Sequence, residues 1–125
     1  MKKILIVEDN DINLRLIRTI LKARGYLFVE ARDGEEAQKI VVAERPDIIL
    51  MDIQIPKVDG LEVTRRIRAM DDFKDRPIIA ITAHAMEGDR KKILEAGCDG
   101  YIVKPINTRT FIDEIEAIIK QKTEG

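Results

Sequence analysis

The chain of 125 residues carries 22 basic and 23 acidic side chains for a net charge of -1, so no overall field draws it to nucleic acid or to an anionic membrane. With 45% hydrophobic and 36% charged residues it has the balance of one globular domain spanning 1–125, neither disordered nor fibrous. No apolar run approaches the ~20 residues that cross a bilayer, the N-terminus has no signal-peptide core, and a cytoplasmic location is expected. A lone cysteine, Cys98 in "EAGCDG", excludes an internal disulfide and a multi-cysteine metal site; it reads as a small buried filler.

Taken in chain order, the elements alternate. "ILIV" at 4–7 is a continuous apolar run, the pattern of a strand buried on both faces. Asn10 and Asp11 follow as helix-capping residues, and Leu14, Ile17 and Leu21 have helical spacing. Gly25 suits the helix's C-terminal cap, and "YLFVEA" at 26–31 supplies the next strand. Asp33 with Glu36 suits a capping box before a helix carrying Ala37, Ile40 and Val41. A third strand covers 48–51. Asp59 and Gly60 make a turn before a helix with Leu61, Ile67 and Met70. A fourth strand at 78–81 leads to a helix over roughly 86–96, closed by Gly97. The fifth strand is 101–103, and the final helix keeps Phe111, Ile112, Ile115, Ile118 and Ile119 on one stripe. The basic runs Arg65, Arg66, Arg68 and Arg90, Lys91, Lys92 alternate with apolar positions and read as solvated faces or partner contacts.

Five strand–helix repeats imply a parallel sheet with helices on both faces, because right-handed crossovers place them so. In such sheets the functional crevice lies beyond the carboxyl ends of the strands. The residues that follow the strands are therefore the informative ones: Glu8 and Asp9 after the first, Asp52 after the third, Thr82 and Ala83 after the fourth, Lys104 and Pro105 after the fifth.

Three carboxylates on one rim repel each other unless a cation or a proton sits among them. An all-oxygen set matches Mg²⁺, whereas His84 alone cannot make a zinc site. Mg²⁺ held by few protein ligands leaves positions for phosphate oxygens, and Lys104 supplies a point charge to the same group. Asp52, at the end of a central strand, is the best placed nucleophile and can accept phosphoryl as an acyl phosphate. Thr82 offers a hydroxyl to a phosphoryl oxygen, and Ala83 leaves room.

The segments "VEDN", "LMDIQIPKVDGLEV", "ITAHA" and "YIVKPI" resemble, in order and over essentially the whole chain, the receiver domain of two-component response regulators. The likeness is nearest to stand-alone receivers of the DivK type, and extends to receivers of hybrid histidine kinases. It implies a flavodoxin-like, doubly wound α/β fold, (βα)5, with a five-stranded parallel sheet in the order 2-1-3-4-5. It also implies that Glu8 and Asp9 are the acid pair, Asp52 the phospho-acceptor and metal ligand, Thr82 the switch hydroxyl, Lys104 the lysine and Tyr101 the switch aromatic. The backbone carbonyl of Gln54 would complete the metal site, the Gln54 and His84 side chains would tune hydrolysis, and the Lys104–Pro105 bond would be cis.

The function these residues imply is a phosphorelay switch rather than an enzyme. A histidine kinase or phosphotransfer protein donates to Asp52; self-phosphorylation from small donors and autodephosphorylation are the only turnovers expected. The donor would dock on the first helix, with Asn13, Leu14 and Ile17 as candidates, the latter two reading equally as core. Output would go to a protein partner through the fourth helix, fifth strand and fifth helix, from a monomer or weak dimer, without nucleic acid or membrane. With "KQKTEG" following the last helix, output by protein contact is expected, the alternative being a receiver excised from a hybrid kinase. An aspartyl-nucleophile phosphatase fits less well, since Gln54 stands where such enzymes want a carboxylate. A receiver-like module that is never phosphorylated is disfavoured by the intact set of five residues.

Overall fold

The computed structural model describes residues 2–84 and 86–124; Ala85 of the "ITAHA" segment lies outside them. Ten elements alternate along the chain: β1 (Lys3–Val7), α1 (Asp11–Ala23), β2 (Leu27–Ala31), α2 (Gly34–Glu44), β3 (Ile48–Asp52), α3 (Gly60–Arg68), β4 (Ile78–Thr82), α4 (Glu87–Glu95), β5 (Gly100–Val103) and α5 (Phe111–Glu124). The strands form one parallel sheet in the order β2-β1-β3-β4-β5, the doubly wound, flavodoxin-like arrangement.

The unbroken apolar runs are explained by helices on both faces. Along β1, β3 and β4, Leu5, Val7, Ile49, Met51, Ile78 and Ala80 point to one side, where Ala37, Val41, Val63, Ile67 and Ile93 of α2, α3 and α4 cover them. The alternate residues Ile4, Ile6, Ile48, Leu50, Ile79 and Ile81 point to the other, against Leu14, Ile17 and Leu21 of α1 and Phe111, Ile112 and Ile115 of α5. Each of these large side chains contributes about 1.5–3 kcal/mol by leaving water, so the two half-cores hold the rims of β1, β3 and β4 in fixed register.

Local chemistry sets the helix ends. Asn10 Oδ1 accepts from Asn13 N at 2.9 Å and caps α1, Asp33 accepts from Glu36 N at 2.8 Å and caps α2, and Asp59 accepts from Leu61 N and Glu62 N and caps α3. The reciprocal bond of the capping box is shifted by one residue, for Glu36 Oε1 accepts from Arg32 N at 3.2 Å. Gly60 has a different job. A β-carbon there would stand 2.5 Å from the Asp52 carbonyl oxygen, so glycine lets α3 start directly against the end of β3.

One basic residue expected on a solvated face, Arg68, is largely withdrawn from water. Arg65 and Arg66 do pair with Glu62 in water, but the Arg68 guanidinium is turned under the sheet. There it donates to the carbonyls of Gly97 (2.8 Å), Lys74 (3.0 Å) and Arg76 (2.6 Å) and to Asp99 Oδ2 (2.7 Å). Asp99 in turn accepts from Ile78 N and Lys122 Nζ, which ties α3, β4 and α5 together at the end of the sheet where the strands begin.

Candidate functional site

Register brings the acids together. Val7 pairs with Met51, so the next residues on each strand, Glu8 and Asp52, emerge side by side at the carboxyl ends of β1 and β3. Strand order reverses at β1, whose neighbours are β2 and β3, and this is the crevice of a doubly wound sheet. Glu8 is fully buried and Asp52 is 2% exposed, while Asp9 stands at the surface. One carboxylate oxygen from each of the three lies within 4.8 Å of the others.

The charges are only partly compensated. Lys104 Nζ donates to Asp52 Oδ2 at 2.9 Å and stands 3.6 Å from Glu8 Oε1. The other Asp52 oxygen accepts from Gln54 N at 3.0 Å, and Glu8 Oε2 accepts from Asp9 N at 3.1 Å and Asn10 N at 3.4 Å. Glu8 Oε1 accepts no hydrogen bond among the described residues, although it is buried. Its carboxyl is pushed up to about 8, chiefly by burial and then by Asp52, against the lowering pull of Lys104 and the Asn10 N–H. Burial alone would lower Lys104, but Asp52 and Glu8 outweigh it and its pKa rises. Lys104 is aimed by its own backbone: its N–H donates to the Thr82 carbonyl at 2.8 Å, and the Lys104–Pro105 peptide is cis, as the resemblance implied.

Among the described residues, the side chains of Thr82, Gln54, His84 and Tyr101 surround this pair without hydrogen bonding to it. Thr82 is buried one residue beyond Ile81, the β4 partner of Asp52, but its hydroxyl is closed on the backbone: it donates to the His84 carbonyl at 3.1 Å and accepts from His84 N at 3.0 Å. Gln54, His84 and Ala83 are exposed beside it. Tyr101, half-buried on β5 opposite Ala80, packs on the α2–α3–α4 side, with the Arg90 guanidinium 5.5 Å from its ring centroid. Leu14 and Ile17 must be withdrawn as docking residues. They are 1% and 0% exposed, because they face the core; Ile12, at 78%, and Arg15 form the outer side of α1 beside the rim, with Asn13 half-buried between. Arg90 over Tyr101 was likewise not foreseen, since nothing in the spacing of the α4 arginine distinguishes a stacked ring from water.

Such a cluster can hold a hard cation and a tetrahedral oxyanion in one place, with acids for the cation and an ammonium for the anion. No helix among the described residues is long and apolar enough to cross a membrane. The profile of the response regulator receiver domain matches residues 4–116. The polar-differentiation response regulator DivK of Brucella anthropi is 45% identical over 118 residues, covering 94% of this chain and 96% of that protein. Among solved structures, the receiver domain of the sensor histidine kinase PA1611 from Pseudomonas aeruginosa PAO1, which has a magnesium ion in its active-site cleft, is 37% identical with a TM-score of 0.84, covering 99% of this chain and 98% of that one. The chemotaxis response regulator CheY4 of Vibrio cholerae is 27% identical with a TM-score of 0.90, over 94% and 98%.

Proposed function

The chain belongs to the response regulator receiver domain family, and on that premise we propose that it is a phosphorylation switch whose acceptor is Asp52. The observation that carries the reading is the contact of Lys104 with Asp52 beside Glu8 Oε1, which has no hydrogen bond among the described residues and only the more distant Lys104 ammonium near it. A lysine is spent on one oxygen of the acceptor, and a buried acid is left needing a cation.

The residues present fit Mg²⁺. The donor set is all oxygen, one buried carboxylate oxygen has no hydrogen bond, and no cysteine or histidine competes. Glu8, Asp9 and Asp52, with the backbone carbonyl of Gln54, would hold it. When bound, the cation neutralises phosphoryl oxygens.

The chain's own residues supply the rest. An Asp52 carboxylate oxygen attacks the phosphorus of a phosphohistidine on a histidine kinase or phosphotransfer protein; the phosphorus–nitrogen bond breaks and an acyl phosphate forms. Lys104 exchanges Asp52 Oδ2 for a phosphoryl oxygen. Thr82 leaves the His84 backbone for another, which frees space for Tyr101 to turn inward and rearranges the surface of α4, β5 and α5 for a downstream protein. This is a shift between two populated states. Gln54 and His84, at the open side, set how readily water reaches the phosphorus.

Intact mass after incubation with Mg²⁺ and acetyl phosphate tests the reading. Wild type should gain one labile phosphoryl mass and Asp52→Asn should gain none; equal labelling of both would end it.

A further inference from the structure

A cavity of about 180 Å³ opens beside Gln54 and Thr82, the neighbours of the acceptor, and its α4 residues have no part in the switch mechanism. Its floor is apolar: Ile53, Leu61 and Ile93. Gln54, Thr82 and His84 also line it, and the first two flank Asp52 along the chain and across the sheet. α4 contributes Asp89 and Lys92 to the lining. Among the described residues Lys92 has no carboxylate within ion-pair distance and its ammonium makes no hydrogen bond, whereas its neighbour Lys91, outside the cavity, reaches Glu95 at 3.9 Å.

An apolar floor of this size, one free ammonium and an adjoining phosphoryl acceptor have the shape of a leaving-group site. We propose that this cavity receives the acyl end of a small acyl phosphate, and that Lys92 neutralises the carboxylate that departs. The inference rests on Asp52 being the acceptor. In the step, an Asp52 oxygen forms a bond to phosphorus, the bond from phosphorus to the acyl oxygen breaks, and that oxygen leaves with the electron pair as a carboxylate. The methyl or short alkyl group lies on Ile53, Leu61 and Ile93 and the new anion lies at the α4 rim. Asp89, one turn earlier on the same rim, has the opposite sign and opposes the same charge. Lys92 is a specificity-determining residue for donors of this class, separate from the residues that hold the phosphoryl group.

Donor chemistry separates the two roles. Acetyl phosphate releases a carboxylate; phosphoramidate releases neutral ammonia. Rates of labelling by each are followed by intact mass at fixed Mg²⁺ for wild type, Lys92→Met, Lys92→Arg, Asp89→Asn and Lys91→Met. Lys92→Met should slow acetyl phosphate about two- to fivefold, the range of one partly solvated charge pair, and leave phosphoramidate unchanged. Lys92→Arg should restore the rate, Asp89→Asn should raise it for acetyl phosphate alone, and Lys91→Met, the same loss of charge outside the cavity, should alter neither donor. Equal slowing of both donors by Lys92→Met, or no effect on acetyl phosphate, overturns the proposal. A wild type labelled by neither donor overturns the Asp52 reading and this one with it; labelling by phosphoramidate with a Lys92-independent acetyl phosphate rate removes only the leaving-group site.

Discussion

Lys104 Nζ and Asp52 Oδ2 are 2.9 Å apart at the end of the sheet, in a site where Asp52 is 2% exposed and Lys104 only 18%. Removing one member of such a pair strands the other. Lys104→Met should therefore cost on the order of 2 kcal/mol in chemical denaturation, at the low side of buried pairs because the lysine retains some water. Combining it with Asp52→Asn should recover much of that loss. A double variant no more stable than Lys104→Met would show that the two side chains are not energetically coupled.

The raised carboxyl of Glu8 makes stability depend on pH. Folded, it titrates at about 8; unfolded, near 4.5, so between those values the folded state binds more protons. The stability contributed is complete below pH ~4.5 and is lost as pH rises toward 8, on the order of a few kcal/mol in the metal-free protein. Glu8→Gln, which cannot ionise, should flatten that decline. Urea denaturation at several pH values in the presence of a chelator measures it, and a wild-type curve that parallels Glu8→Gln would refute the assignment.

Cation binding should act in the opposite sense. Mg²⁺ that binds the folded acids and not the unfolded chain adds about 1.4 kcal/mol at ten times its dissociation constant. Asp9→Asn relieves repulsion, so it should be more stable than wild type without Mg²⁺ and gain little with it. Denaturation at constant ionic strength separates this from general screening. A gain for Asp9→Asn equal to that of wild type would remove the acid from the cation site.

With Leu14 and Ile17 in the core, a phosphohistidine donor is expected to dock on the outer side of α1. Ile12, 78% exposed, shares a surface groove with Arg15, Leu16 and Thr19 next to the Asp9 rim. Ile12→Asp and Arg15→Glu should slow transfer from a phosphohistidine donor roughly five- to tenfold, the loss of a central interface contact, and leave acetyl phosphate labelling unchanged. Loss in both assays would mean the pocket had been damaged.

What was legible in the sequence followed from periods and caps. The runs at 4–7, 48–51 and 78–81 could only be strands covered twice, and their next residues are the site. Leu14 and Ile17 illustrate the limit: a 3.6-residue period says that they share a face but not that this face meets the sheet, so they served equally as core and as docking candidates. Arg68 shows another. Its basic neighbours are solvated, and only the close arrival of Gly97 and Asp99, distant in sequence, together with the 73–76 turn that follows α3, gives it acceptors. Likewise the closure of Thr82 on His84 is a local backbone choice that no side-chain pattern encodes. Arg45 ends α2 in the left-handed region without a glycine to signal it.

The central claim is that phosphoryl is carried by Asp52 itself. Borohydride reduces an aspartyl phosphate to homoserine, so the protein is labelled with acetyl phosphate and Mg²⁺, reduced, digested and sequenced by tandem mass spectrometry. The account predicts homoserine at position 52, dependent on the phosphodonor and present in Lys92→Met as in wild type after long incubation. Homoserine at Asp9 or at another acid, or a phosphoryl group that survives reduction on Thr82, would contradict it.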